Sequence, residues 1–158
     1  MSIKLAMYEE KYKEKLYDFD LPEEQKQFTG MPRETVDLAV GDQHRHPIVI
    51  LHNENPIGFF VLHFSDEITD FTTHTEVLLL RAFLIDQNHQ GKGYAKEAML
   101  LLPAFVQEVF PEVEEIILVV NERNIAAQQL YKKVGFVDKG FRREGKIGPQ
   151  YVMHLEMK

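Results

Sequence analysis

The stretch Leu84-Ile85-Asp86-Gln87-Asn88-His89-Gln90-Gly91-Lys92-Gly93-Tyr94-Ala95 joins an apolar run, 76–85, to a segment in which Ala95, Ala98, Met99, Leu102, Val106 and Val109 recur at helical spacing. This predicts a buried strand, a polar turn and a glycine-bearing helix start. The first N–H groups of a helix have no partner within it and sit at the positive end of its dipole, so such a start binds anions, pyrophosphate among them. Gly91 and Gly93 have no side chain to hold phosphate oxygens off the backbone, and Ala95 is small. The amides of Gln90, Gly91, Lys92, Gly93, Tyr94 and Ala95 are therefore the candidate diphosphate cradle. A P-loop would need Lys-Ser or Lys-Thr where Tyr94-Ala95 stands, and a dinucleotide fingerprint a third glycine where Lys96 stands. Residue type excludes both.

A second polar constellation lies at 121–136. Asn124 and Tyr131 are seven residues apart, which puts them on one helix face two turns apart. A polar pair so aligned can follow an extended ligand, and Asn124 is also a natural N-cap.

The elements that must position these residues follow from pattern. Residues 3–8 read as an edge strand and 9–19 as helical. Pro22 opens a short helix that Gly30 ends, and Pro32 opens another through Leu38. Runs 47–52 and 57–64 form a hairpin around the turn Asn53-Glu54-Asn55-Pro56. The run 76–85 is a central strand buried on both faces. A helix at 90–110 contains Pro103, a strand covers 115–120, and a helix at 124–133 closes on Gly135. Strands at 137–143 and 150–157 form a closing hairpin, with Pro149 just ahead of the last strand. Strand–helix–strand over 76–120 implies a parallel crossover, and the remaining pairings are antiparallel. The expected fold is α+β: a single domain, 1–158, with one mixed, mostly antiparallel central sheet flanked by helices.

Gln90, Gly93 and Ala95 fill Gln-x-x-Gly-x-Ala. Asn124, Ala127, Leu130, Tyr131, Gly135 and Phe136 fill Asn-x-x-Ala-x-x-Leu-Tyr-x-x-x-Gly-Phe. In this order the two motifs resemble those of the GNAT superfamily of N-acetyltransferases. The resemblance covers the core motifs and the strand order but has no specific hold on the N-terminal third. It implies an acyl-CoA N-acyltransferase fold in which parallel strands 76–85 and 115–120 splay at their C-terminal ends, with acetyl-CoA as cosubstrate. Pantetheine would then run along the backbone of Phe83, Leu84 and Ile85, the pyrophosphate would rest on 90–95, and Asn121, Asn124, Ala127 and Tyr131 would be further cofactor-binding positions. The implied reaction is direct attack of a neutral primary amine on the thioester, with a backbone N–H near Phe83 or Leu84 polarising the carbonyl. Tyr131, a phenol of pKa about 10, is the expected general acid for the departing thiolate. Glu76 is the candidate base, although a solvated charge at a strand end is its plainer reading. Arg81, odd in an apolar run, either pairs with an acid across the sheet or reaches an acidic acceptor group.

Composition narrows the setting. The net charge is −7, against nucleic-acid binding and compatible with steering a cationic amine. The chain has no cysteine, which excludes thiol nucleophiles and cysteine metal sites. Its seven histidines include no helical i, i+4 pair, so no metal is expected. No apolar run approaches the ~18 residues that span a membrane, and the N-terminal residues lack a signal-peptide core, so a cytoplasmic location is expected. Acceptor choice is expected from the 20–40 helices and the 65–75 loop, whose Asp66, Glu67 and Asp70 could receive a polyamine. The run of Arg81, Phe83, Ile85 and Asp86 into Gln90-Gly91-Lys92-Gly93 also resembles polyamine acetyltransferases of the superfamily. Competing readings are a protein or peptide N-terminal or lysine acetyltransferase and a non-catalytic acyl-CoA-binding sensor. The Tyr131 hydroxyl argues against the sensor. A homodimer is left open.

Overall fold

The computed structural model describes residues 3–157. Its strands are β1 (Ile3–Met7), β2 (Arg45–His52), β3 (Asn55–His63), β4 (Val77–Ile85), β5 (Glu115–Asn121), β6 (Val137–Gly145) and β7 (Gly148–Glu156). Its helices are α1 (Lys13–Tyr17), α2 (Glu23–Lys26), α3 (Pro32–Val40), α4 (Tyr94–Val109) and α5 (Ile125–Lys133), with 3₁₀ turns at Glu10–Tyr12, Asp66–Phe71 and Gln87–His89. The strands form one sheet in the order β1-β2-β3-β4-β5-β7-β6. Only β4 and β5 run parallel, joined by the α4 crossover. Among the described residues no helix is long and apolar enough to cross a membrane.

Alternate residues of the same strands feed two cores. Ile48, Ile50, Phe60, Leu62, Leu78 and Leu80 pack against Ala98, Met99, Leu102 and Val106 of α4. Val49, Leu51, Phe59, Val61 and Leu84 face the other way, toward Leu16, Phe19, Leu21, Val36 and Ala39 of the N-terminal segment. Covering both faces is why β2 to β5 read as near-continuous apolar runs.

Three departures from the sequence pattern shape the site. First, the hairpin turn is tighter than the four residues expected. Asn53 and Glu54 both take positive φ, 51° and 69°, and β3 begins at Asn55. Second, α4 starts at Tyr94, not at Gln90. Gly91 and Gly93 have φ of 79° and 83°, outside the helical range, so the glycine pair forms a loop ahead of the helix. Third, β4 is not a regular central strand. Val61 pairs with Arg81 and Phe59 with Leu84, so β4 carries one residue more than β3 between those pairs. This bulge turns at Ala82, whose φ is 60°.

Pro149 also lies inside β7, opposite Glu144, instead of ahead of the strand. It falls one residue beyond the β5–β7 ladder, which ends at Asn121 and Gln150, so its missing N–H costs that ladder no bond.

The pairing of β4 with β5 is short. It runs from Val77 and Glu115 to Leu80 and Leu118 and stops. Beyond that point β4 stays on β3 as far as Ile85, and β5 stays on β7 as far as Asn121. The two parallel strands therefore part at their C-terminal ends, as the family resemblance implied.

Candidate active site

A cavity of about 840 Å³ occupies this parting, within the range of small-molecule sites. Its walls are the far half of β4, the end of β5, the 89–95 loop, α5, the segment around α2 and the β6–β7 turn.

The glycine loop is fixed from behind. Asp86, 5% exposed, donates its N–H to the Ile57 carbonyl at 2.9 Å and accepts the Asp20 N–H on Oδ1 at 2.9 Å. Gln87 N–H donates to the Asp20 carbonyl at 2.9 Å. Gln90 Nε2 donates to the Ile85 carbonyl at 2.8 Å and to Gln25 Oε1 at 3.0 Å, while Gln25 Nε2 donates back to Gln90 Oε1 at 3.2 Å. The strand end, the loop and α2 are thereby one unit. In front, a methyl group on Gly91 or Gly93 would meet no protein atom within 4 Å. The backbone is open to an anion there, at the start of a 16-residue helix.

On the β5 side, Asn121 is 6% exposed and accepts the Arg123 N–H on Oδ1 at 2.8 Å. Its Nδ2 has no partner among the described residues although it is buried beside the cavity. Asn124 caps α5 by accepting the Ala127 N–H at 3.3 Å. Buried Gln128 donates to the carbonyls of Asn121 and Glu122 at 3.0 and 2.9 Å and so braces this corner. Tyr131 is 8% exposed, lines the cavity and packs edge-on against Phe83 and Phe136, with ring centroids 6.4 and 5.8 Å away. Burial pushes its phenol well above the ordinary value of 10, which keeps the hydroxyl protonated throughout the neutral range.

Phe83, Leu84, Ile85, Gln90, Gly91, Gly93, Tyr94, Ala95, Asn121, Asn124, Ala127 and Tyr131 all line this one cavity. Lys92 is exposed and does not. Glu76 is not brought there either. It is exposed ahead of β4, at the end opposite the parting, and its backbone is held by Glu114. The β5-facing edge of 81–85, left without a strand partner beyond Leu80, the orphaned amide of Asn121 and the open glycine faces fit a diphosphate with a long thioester arm.

Arg81 does pair with an acid. Its Nη1 donates to Glu67 Oε2 at 2.7 Å and lies 3.1 Å from His63 Nδ1, and Arg143 Nη1 donates to Glu67 Oε1 at 3.2 Å. Burial pushes the Glu67 carboxyl up, but the two guanidinium groups outweigh it and hold the group below the usual carboxylate range. Burial, helped by Arg45 and Arg81, pushes His63 down, toward its neutral form.

Gln25, Gln27, Phe28 and Thr29 around α2 lie in the 20–40 segment expected to choose the acceptor, although no single residue there was legible; no residue of 65–75 lines the cavity, and Arg143 to Ile147 at the β6–β7 turn were not anticipated. Arg123 spans the two groups, donating from Nη2 to Gln27 Oε1 at 3.3 Å and to the Ile147 carbonyl at 3.2 Å. They belong to no motif and meet only through long-range folding. Well away from the cavity, His74, Glu115 and Glu156 bring potential ligand atoms within 4.8 Å of one another. Lys139 Nζ already lies 3.5 Å from Glu115 and 3.1 Å from Glu156 as their counter-ion.

The acetyltransferase (GNAT) family model matches residues 6–136. The uncharacterized N-acetyltransferase YbbJ of Bacillus subtilis (strain 168) is 46% identical over 153 residues, covering 96% of each chain. A spermine/spermidine N(1)-acetyltransferase of the same strain is 24% identical over 140 residues, 89% of this chain and 91% of the other. Among solved structures, the aminoglycoside acetyltransferase AAC(6')-Ib with coenzyme A and kanamycin aligns with a TM-score of 0.79 at 20% identity, covering 98% of this chain and 95% of that one. The spermidine N-acetyltransferase of Vibrio cholerae with CoA and spermine aligns at 0.73 and 19%, covering 99% and 96%. With its loop, its parted strands and the match over most of its length, the chain belongs to the GNAT acetyltransferase family.

Proposed function

We propose that this acetyl-CoA-dependent N-acetyltransferase delivers the acetyl group to the primary amine of a small molecule by direct attack, in the parting of β4 and β5. One observation carries the reading: the β4–β5 ladder ends at Leu80 and Leu118, and the backbone freed beyond it faces the cavity that Tyr131 lines. The acetyl thioester supplies the acyl group. The amides of the 90–95 loop and the start of α4 hold the diphosphate, and Phe83 to Ile85 offer backbone to the pantetheine arm. Asn121 and Asn124 flank that arm. The bulge at Ala82 re-aims the amides around Phe83 and Leu84 at the thioester oxygen, where a preset donor counts most. Tyr131 holds its proton until the thiolate needs it.

Glu76 lies too far away to serve as base. Glu144 is the one carboxylate lining the cavity among the described residues, and it is exposed. Water in the open cavity is therefore the path for the ammonium proton. A small acceptor is favoured over a protein segment because Arg123 ties Gln27 to Ile147, two residues that line the cavity from different elements. A polyamine acceptor rests on the relatives named for spermine and on the acids Asp66, Glu67 and Asp70. The geometry lends it little, since none of the three lines the cavity and two arginines already neutralise Glu67.

Calorimetry with acetyl-CoA, followed by thiol release in the presence and absence of primary amines, tests the proposal. Binding with amine-dependent thiol release is expected. Binding without release under any amine would favour the sensor reading, and no binding at all would remove both.

A further inference from the structure

We infer that the acceptor amine carries an anionic group, a carboxylate or a phosphate, which docks on Arg81 and Arg143; this rests on the acetyltransferase reading above. The chain as a whole has a net charge of −7, yet this cavity is lined by Arg81, Arg143 and Lys146 against Glu144 alone among the acids. The excess positive charge lies apart from the glycine loop that receives the diphosphate. Arg81 is on β4 just before the bulge, and Arg143 and Lys146 border the β6–β7 turn.

The two arginines are only partly engaged. Each uses Nη1 toward a single oxygen of Glu67, and the Nε and Nη2 groups of both make no hydrogen bond to the described residues. Their side chains are 34% and 33% exposed, so the free donors are neither fully buried nor fully solvated. One carboxylate shared by two guanidinium groups leaves a net positive charge and donors shaped for a second oxyanion. A polycation placed there would meet repulsion. Arg81 and Leu84 oppose Val61 and Phe59, which are two residues apart on β3, so about 7 Å of strand separates this docking point from the proposed attack point. A short aliphatic amine with an anion at its far end spans that distance, helped by the reach of the guanidinium.

Four-carbon amines that differ only at the far end give the test: γ-aminobutyrate, n-butylamine and 1,4-diaminobutane. O-phosphoethanolamine, 6-aminohexanoate and α-amino acids extend the anionic arm, and spermidine the cationic one. The expected order of kcat/KM is anionic over neutral over cationic, with at least a tenfold gap between the extremes. Preference for O-phosphoethanolamine over the amino acids assigns the anion as phosphate, and the reverse assigns it as carboxylate. Arg143→Gln should raise KM for the best anionic acceptor at least tenfold with a smaller change in kcat, and Arg143→Lys should recover part of the loss. The calorimetric Kd for acetyl-CoA, measured on each variant, reports that it has folded. Preference for butylamine, diaminobutane or spermidine overturns the inference, as does an Arg143→Gln enzyme with unchanged KM or the absence of turnover with every anionic amine. Failure of the wild-type protein to bind acetyl-CoA would instead remove the acetyltransferase reading beneath it.

Discussion

Gln25 and Gln90 face each other across the cavity rim and exchange two amide hydrogen bonds, of 3.0 and 3.2 Å, while Gln90 also holds the carbonyl of Ile85. Gln90 thus acts through its side chain as well as its backbone: it locks the end of β4 to the start of the glycine loop and both to α2. Each part-buried bond contributes about 1 kcal/mol net. Gln90→Ala should therefore lower stability by about 1–3 kcal/mol and raise KM for acetyl-CoA roughly tenfold, read by denaturant unfolding and steady-state kinetics. Gln25→Ala, which leaves the bond to Ile85, should show the smaller effect on both.

Gly93 caps α4 with a φ of 83° and an open side-chain direction. Gly93→Ala should cost about 1–2 kcal/mol through the left-handed backbone alone. Its larger effect should be on acetyl-CoA affinity, because the new methyl projects into the space proposed for the diphosphate. Calorimetry should show a weakening of at least tenfold. A variant that loses stability while keeping its affinity would place the diphosphate elsewhere.

Tyr131→Phe should lower kcat by about 10²-fold or more with little change in acetyl-CoA Kd, since only the proton is removed. Burial raises the Tyr131 pKa above 10, so the hydroxyl should add no alkaline limb to the rate profile below pH 10. The same shift has a sign for stability. The folded state holds this proton longer than the unfolded chain does, so stability is intact below pH ~10 and declines as pH rises from there toward the folded value. The alkaline decline should be shallower in Tyr131→Phe, as alkaline unfolding curves of the two proteins would show. Tyr17, raised to about 12 by its hydrogen bond to Asp37, should keep part of the slope in both.

Gly58 stands opposite Ile85. A methyl there would lie 2.8 Å from the Cδ1 atoms of Ile50 and Ile85 and 2.9 Å from the carbonyl oxygen of Leu84. Side chains can rotate away, but that carbonyl cannot without moving β4. Gly58→Ala should cost about 1–3 kcal/mol and lower kcat/KM together with stability, because the displaced segment is the one proposed to hold the thioester.

The chemistry was legible where local pattern dictates it. Gly91 and Gly93 after an apolar run announce an anion loop, and Asn124 and Tyr131 announce one face of a helix. The strands and the one parallel crossover followed from apolar periodicity and the strand–helix–strand succession, because both faces of the sheet are covered. What was not legible depends on pairings far apart in the chain. Arg81 looked anomalous until Glu67 and Arg143 were seen beside it. Nothing at Gln25 signals Gln90, 65 positions away. The bulge at Ala82 is not legible in a run whose residues on both sides of Arg81 are apolar, since either register keeps the strand hydrophobic. Glu76 was given a role by its strand, but the direction of that strand carries it away from the cavity. Of the acids Asp66, Glu67 and Asp70, the charge can be read from sequence, while the two arginines that engage Glu67 cannot.

Four consecutive rungs, Val77 to Leu80 against Glu115 to Leu118, are all the strand pairing that joins one leaf of the sheet to the other. The leaf of β1 to β4 and the leaf of β5, β7 and β6 are otherwise held by scattered contacts, Arg143 on Glu67 and Arg123 on Gln27 among them, and by the stretch that contains α4. A molecule lodged between them touches both, and so serves as mortar across the weakest line of the fold. Occupancy should stiffen the whole protein, and the departure of the spent thiol means giving up that adhesion.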